Sequence, residues 1–277
     1  MDKTKRRRLL ALTECSIMIA LSTVLSIIKI VELPYGGSIT AASMLPIVIA
    51  VYRHGSLWGL GVAAVNSAIQ LLLGLNALSY AVNWQAAVAI ILFDYILAFS
   101  AFALSGLFKK RVTNQSTAVI LGVILASALR YACHTIVGCT VWAGISIPTG
   151  AAILYSLSYN ATYMIPETVI LALAAGYVFS VLDFGYELPR RIQRRETDKV
   201  SAWCSVGAGV SLLGGIAAAV AIVFSKLQNE ESGELDFGGF ASVNYVALGI
   251  TLGATLLTSL VLYLVIKHRE SRAKSAV

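Results

Sequence analysis

The chain has 277 residues, 58% of them hydrophobic and only 13% charged, with a formal net charge of +7 and a mean hydropathy of +0.80. A water-soluble domain carries about a quarter charged residues, so the composition argues against one and describes an all-α integral membrane protein. The positive balance reads as membrane anchoring, because no basic face with interleaved aromatics is visible and nucleic acid is therefore not an expected partner.

Crossing a bilayer takes about 20 apolar residues per helix, since lipid cannot satisfy exposed backbone groups. In chain order the runs that qualify are residues 9–31, 41–53 (short), 56–75, 85–108, 116–143, 151–182, 202–226 and 241–267, which predicts about eight transmembrane helices. The N-terminus is basic and then apolar, but it lacks a small-x-small cleavage site before the run is long enough to span, so it is kept as helix 1. Basic residues follow the positive-inside rule: the cluster Lys3 to Arg8, Arg53, Lys109 to Arg111, the block Arg190 to Lys199 and the tail from Lys267 share one side. Of the 21 basic residues only Lys29, Arg130 and Lys226 fall elsewhere. The opposite loops carry Glu32 and the acidic stretch Glu230 to Asp236, so both termini are expected on the cytoplasmic side of the cell membrane.

Residues 1–188 hold six of these spans, residues 189–200 form a basic, Pro-containing cytoplasmic linker, and residues 201–277 form a two-helix membrane extension. Helix 7 is rich in Gly and Ala (Gly207, Gly209, Gly214, Gly215), a surface that allows close helix contact. The four cysteines all fall in predicted spans without a C-x-x-C pair, which supports neither a disulfide framework nor a zinc site. No P-loop, H-E-x-x-H or G-x-S-x-G occurs, and His54, His134 and His268 are far apart, so no enzyme, metal or cofactor is expected.

The informative residues are those that lipid penalises. Asp94 lies within the apolar run of helix 4, where a carboxylate costs several kcal/mol unless paired or hydrated. Two readings stand: a structural partner for Arg130 or a tyrosine, or a ligand carboxylate in a cavity open to the outside. Helix 5 carries His134, Gly138 and Trp142 at i, i+4 and i+8, hence on one face. An imidazole and an indole separated by a glycine gap make a slot for a flat ring, with a cation–π or stacking contribution of roughly 0.5–2 kcal/mol. The plainer alternatives are an interfacial belt for Trp142 and a helix–helix hydrogen bond for His134. Helix 6 is predicted to begin after Pro148 and adds Tyr155, Asn160 and Glu167, with Pro166 set to interrupt its hydrogen bonding. Helices 4 to 6 therefore concentrate polar and aromatic groups toward the outer half, which favours a small, polar, aromatic and cationic ligand.

At these residues the chain resembles the thiamine-specific substrate-binding (S) components of energy-coupling factor (ECF) transporters. The resemblance rests on Arg130-Tyr-Ala-Cys-His134, Gly138, Trp142, Tyr155-Ser-Leu-Ser-Tyr-Asn160 and Tyr163-Met-Ile-Pro-Glu167. It is joined by Leu92-Phe-Asp-Tyr95, Leu33-Pro-Tyr-Gly-Gly-Ser38 and Arg53-His-Gly55, and covers the first 185 or so residues. It implies a six-helix bundle with an outward-facing pocket and a lid from the first outer loop. It also implies thiamine contacts at Asp94, Tyr95, His134, Gly138, Trp142, Tyr155 and Asn160. Where some members carry further aromatics, this chain has Gly37 and Asn66, so that part of the pocket must differ and use Tyr35. Docking on a shared ECF coupling protein would run through Ser16 and Ala20 of helix 1, with two separate ATPase subunits supplying the energy. Members usually end after helix 6, so the last two helices are a departure. The alternatives kept open are an S component for another heteroaromatic vitamin or thiamine precursor, and an autonomous ion-coupled carrier using Asp94 and Glu167.

Overall fold

The structure, a computed structural model, describes residues 2–33, 36–142, 152–192, 199–227 and 237–275. The chain divides into two compact units, residues 1–192 and 193–277. The first holds helices α1 (Lys3–Ile27), α2 (Leu45–His54), α3 (Ser56–Leu73), α4 (Trp84–Leu104), α5 (Gln115–Thr140) and α6 (Ala152–Val181). The second holds α7 (Lys199–Leu227) and α8 (Tyr245–Ser275). Among the described residues, α1, α3, α4, α5, α6 and α8 contain stretches long and apolar enough to cross a membrane.

Two expectations change. The run 41–53 does not make a spanning helix: α2 has 10 residues, and Met44 and Pro46 sit at its start. Its side chains Ile47, Val48, Val51 and Tyr52 are buried, because α2 fills the space between α1 and α3. The first apolar run also stops being helical at Ile27. Residues Lys29–Glu32 (β1) pair antiparallel with Ser38–Thr40 (β2), in the register Lys29↔Thr40, Val31↔Ile39 and Glu32↔Ser38. β-Branched Ile30 and Val31 suit a strand, and the hairpin satisfies the backbone just where the helix ends. Tyr35, expected in the lid, lies outside the described residues, as do the predicted start of helix 6 at Pro148, residues 193–198 of the linker and the acidic stretch Glu230 to Asp236.

The first unit is packed as a membrane bundle. Large aliphatics face outward (Leu57 is 82% exposed), while small and polar residues such as Ala63, Ser105, Ala126 and Ser156 are buried. The core runs from Cys15 and Ala50 through Val62, Phe102, Val119 and Val123 to Leu171 and Phe179. α4 is capped at its start by Asn83, whose side-chain Oδ1 accepts from Ala86 N at 2.8 Å. It winds as α-helix over Trp84–Ala89, as π-helix over Ile90–Leu97, and tightens to 3-10 over Ala101–Leu104. α5 is capped by Asn114, and Gln115 donates to the Phe179 and Leu182 carbonyls at the end of α6, groups that the helix itself leaves unpaired.

The end of the bundle remote from the hairpin is tied by charge. Arg53 grips both oxygens of Glu14 and donates to the Glu187 carbonyl at 2.9 Å, and His54 lies 2.6 Å from Glu14. Nearby, Lys109 donates to the Tyr52 carbonyl; burial first, then Lys110 and Arg53, hold its pKa below the usual lysine value. In the second unit α7 and α8 lie against each other so closely that a Cβ on Gly215 would overlap the Thr255 side chain.

Candidate ligand-binding site

Helices α1, α3, α4, α5 and α6 and the β1–β2 hairpin converge on a cavity of about 540 Å³, a size typical of small-molecule sites. It sits at the hairpin end of the first unit. The structure brings Gly37, Asp94, Tyr95, His134, Gly138, Trp142, Tyr155 and Asn160 together on its wall. It adds Arg130 and Glu167, which the sequence marked only as a partner for Asp94 and as an embedded carboxylate, and Tyr159, Tyr163, Thr40 and Phe99, which it did not single out.

Asp94 and Tyr95 both line the cavity, and both fall in the π-helical segment of α4. The wider winding redirects side chains locally, and such segments recur at functional sites. Tyr95 is steadied by donating to the Gly74 carbonyl at 3.2 Å. Among the described residues Asp94 is paired not with Arg130 or a tyrosine, as one sequence reading had it, but with His134, Nδ1 to Oδ1 2.8 Å. The geometry explains the difference: Arg130, one helical turn before His134, turns toward α6 and meets Glu167, Nη1 to Oε2 3.0 Å. Its Nε donates to His134 Nε2 at 3.2 Å, and its guanidinium covers the Phe99 ring at 5.0 Å.

The glycine gap on α5 is not an open slot. A Cβ on Gly138 would overlap Ser156 Oγ, and Ser156 in turn donates to the Thr135 carbonyl at 2.9 Å. Gly138 therefore lets α6 approach α5, and the space between imidazole and indole is partly taken by Ser156 and Asn160. Trp142 is 9% exposed and lies against Tyr80, ring centroids 5.1 Å apart, so it is a wall of the cavity and not an interfacial belt residue. On α6, Asn160 donates to Ser156 and accepts from the Tyr163 hydroxyl at 2.6 Å.

The hairpin closes over this wall by its backbone. Gly37 N donates to the Tyr159 hydroxyl at 3.1 Å, and a Cβ there would meet that hydroxyl at 2.8 Å and Tyr163 at 2.9 Å. At the base of β2, Thr40 donates to Glu167 Oε1 at 2.7 Å and lies 2.8 Å from Ser43 Oγ. Asn66, expected to replace a pocket aromatic, instead is fully buried in α3 and is not among the residues that line the cavity. Ser16 and Ala20 are both exposed on α1.

Formal charges on the lining residues do not cancel. Arg130 offsets Glu167, and at the mouth Lys29 offsets Glu32 at 2.5 Å. The Arg130 Nε–H points at His134 Nε2, and the other ring nitrogen faces Asp94. In a formal count that leaves histidine uncharged, Asp94 gives the described lining one negative charge in excess. Aromatic faces around that charge suit a flat cationic heterocycle.

Residues 12–183 match the thiamine transporter protein family (Thia_YuaJ). Over 185 residues the chain is 32% identical to the thiamine transporter ThiT of Bacillus subtilis (strain 168), a match covering 62% of this chain and 92% of that protein. A solved structure of ThiT from Listeria monocytogenes superposes with a TM-score of 0.51 at 25% identity, covering 62% of this chain and 94% of that one.

Proposed function

The chain belongs to the thiamine transporter protein family, and from that premise we propose that it captures thiamine with high affinity from outside the cell at the cavity between α3, α4, α5, α6 and the hairpin. It is a multi-pass membrane transport protein of the S-component type and not an enzyme. The observation that supports the ligand is the single excess negative charge at Asp94 inside an aromatic wall. Thiamine is complementary to it: a cationic thiazolium, a hydrogen-bonding aminopyrimidine and a hydroxyethyl arm. In this reading Asp94 opposes the thiazolium charge, His134 and Trp142 supply ring faces, and Tyr95, Tyr155 and Asn160 supply polar contacts. Gly138 allows the α5–α6 approach that shapes the wall, and the hairpin around Gly37, with Tyr35 in its turn, is the lid.

Binding alone does not move a vitamin. The reading therefore includes an ECF coupling protein that docks on the small, exposed positions Ser16 and Ala20 of α1, and two ATPase subunits that drive reorientation. The charge pattern supports an orientation in the cell membrane with both termini in the cytoplasm. Residues 1–188 form the vitamin-binding domain, and 201–277 a two-helix membrane extension joined by the basic linker 189–200.

The deciding experiment is a titration of the purified full chain with thiamine, followed by tryptophan fluorescence and calorimetry. Saturable one-to-one binding is expected, with the uncharged pyrimidine half of thiamine binding at least about tenfold more weakly because it lacks the cation. Equal affinity for the uncharged fragment would redirect the assignment to a thiamine precursor. Uptake by the chain alone in an ion gradient, without ATPase subunits, would replace the S-component reading with an autonomous carrier.

A further inference from the structure

We propose that Arg130 is a positioning residue of the binding site: by donating to His134 Nε2 it orients the imidazole so that its Nδ1 edge is aimed at Asp94. The inference rests on the thiamine reading for its consequence, but its geometry stands on the cavity alone.

Two contacts converge on one imidazole. Arg130 Nε–H approaches Nε2 at 3.2 Å, and Asp94 Oδ1 approaches Nδ1 at 2.8 Å. Arginine only donates and a carboxylate only accepts. With the proton on Nε2 instead, a donor would face a donor at one nitrogen and a lone pair would face a carboxylate at the other. The tautomer is thus set from both sides, and only one of the two Asp94 oxygens is used by it.

Arg130 is itself held. A different nitrogen of its fork, Nη1, meets Glu167 at 3.0 Å, and the ring of Phe99 lies under its guanidinium. The other Glu167 oxygen accepts from Thr40. Side-chain exposures of 12% for Arg130 and 6% for Glu167 leave little room for alternative arrangements. The Arg130–Glu167 pair adds no net charge to the cavity, so its part is directional: it presents one N–H to His134. The ring of His134 then keeps its plane beside the Asp94 carboxylate that opposes the ligand cation. Partners that orient a binding group from behind commonly change affinity by 10–100-fold when removed.

The test separates direction from charge. The double variant Arg130→Met with Glu167→Gln removes both members of the ion pair and leaves the cavity's net charge unchanged. The chain has three histidines, so imidazole nitrogens of 15N-histidine-labelled full-length protein are resolved by NMR and assigned with His134→Gln. In the unliganded wild type, His134 is expected as the Nδ1–H tautomer with a hydrogen-bonded Nε2; in the double variant Asp94 still favours that tautomer, but the Nε2 resonance moves to that of an unbonded nitrogen and thiamine affinity falls about tenfold or more. A double variant with an unchanged Nε2 resonance, or one that binds thiamine within about twofold of wild type, overturns the proposal. If the double variant does not fold, Arg130→Lys is read in the same way, since lysine keeps the ion pair to Glu167 but lacks the separate Nε donor. If the wild type itself does not bind thiamine, the functional reading fails, and the Nε2 resonance of the variant alone decides the role of Arg130.

Discussion

Asp94 shows why charge and not merely polarity matters in this cavity. The Asp94→Asn variant would keep the side chain's size and one acceptor for the His134 N–H, yet abolish the excess charge. Thiamine affinity is expected to fall about tenfold or more, and calorimetry on the purified variant checks it; unchanged affinity would remove Asp94 from its assigned role. Trp142 offers an independent reporter. The chain has four tryptophans, and of these only Trp142 lines the cavity among the described residues. Trp142→Ala should therefore abolish the thiamine-dependent change in fluorescence, and a retained change would move the stacking site elsewhere. Both residues were legible in the sequence, because each is a polar or amphipathic group inside an apolar run. Thr40 and Glu167 were not legible as a pair: they are 127 positions apart, and only the fold brings a strand-end hydroxyl against a helix-interior carboxylate. Tyr80 was missed for another reason, since it lies in the 3-10 segment after α3, where neither helical nor strand periodicity marks a face.

Among elements, the closest approach at the cavity is that of α5 to α6. Gly138→Ala would drive a methyl into Ser156 Oγ, and overpacking of this kind costs about 1–3 kcal/mol. A lower thermal midpoint in detergent is expected, and it should recover when Ser156→Gly is added, because that removes the atom in the way. The same logic of paired change applies at the other end of the bundle. Arg53, with 5% of its side chain exposed, joins α1, α2 and the segment after α6 through Glu14 and the Glu187 carbonyl. Arg53→Met leaves the Glu14 carboxylate without its guanidinium, a loss of about 3–5 kcal/mol for a buried pair. Adding Glu14→Gln should restore much of that stability, as thermal unfolding of the four members of the cycle would show. The helices themselves followed from apolar run length, but α2 did not: a run of 13 residues with Pro46 near its start reads as a weak span, and only its length of 10 residues and the burial of Ile47, Val48, Ala50, Val51 and Tyr52 show it packed inside the bundle. The hairpin was hidden as well, since Lys29–Glu32 continues the apolar run of α1 with β-branched residues.

For the whole molecule, the division at residues 192 and 193 predicts separable roles. The family match ends at residue 183, and the cavity is lined by residues up to Glu167, so every group proposed to touch thiamine lies in the first unit. A chain truncated after Ile192 is expected to bind thiamine within about threefold of the full chain; a larger loss would assign α7 and α8 a part in the site. The sequence marked this division through a basic, Pro-containing stretch. It offered no comparable mark for the winding of α4, because a π-helical turn has no residue signature of its own.

That winding carries a practical corollary. A π-helical stretch accommodates one residue more than an α-helix of the same length, so deleting a single residue within Ile90–Leu97 can return α4 to regular pitch without displacing its two ends. Phe99, Phe102 and Ala103 would keep their places in the core, while Asp94 and Tyr95 would rotate off the cavity. One codon thus separates a receptor from a folded blank of nearly identical mass, which is the control that any uptake or docking assay on this protein calls for.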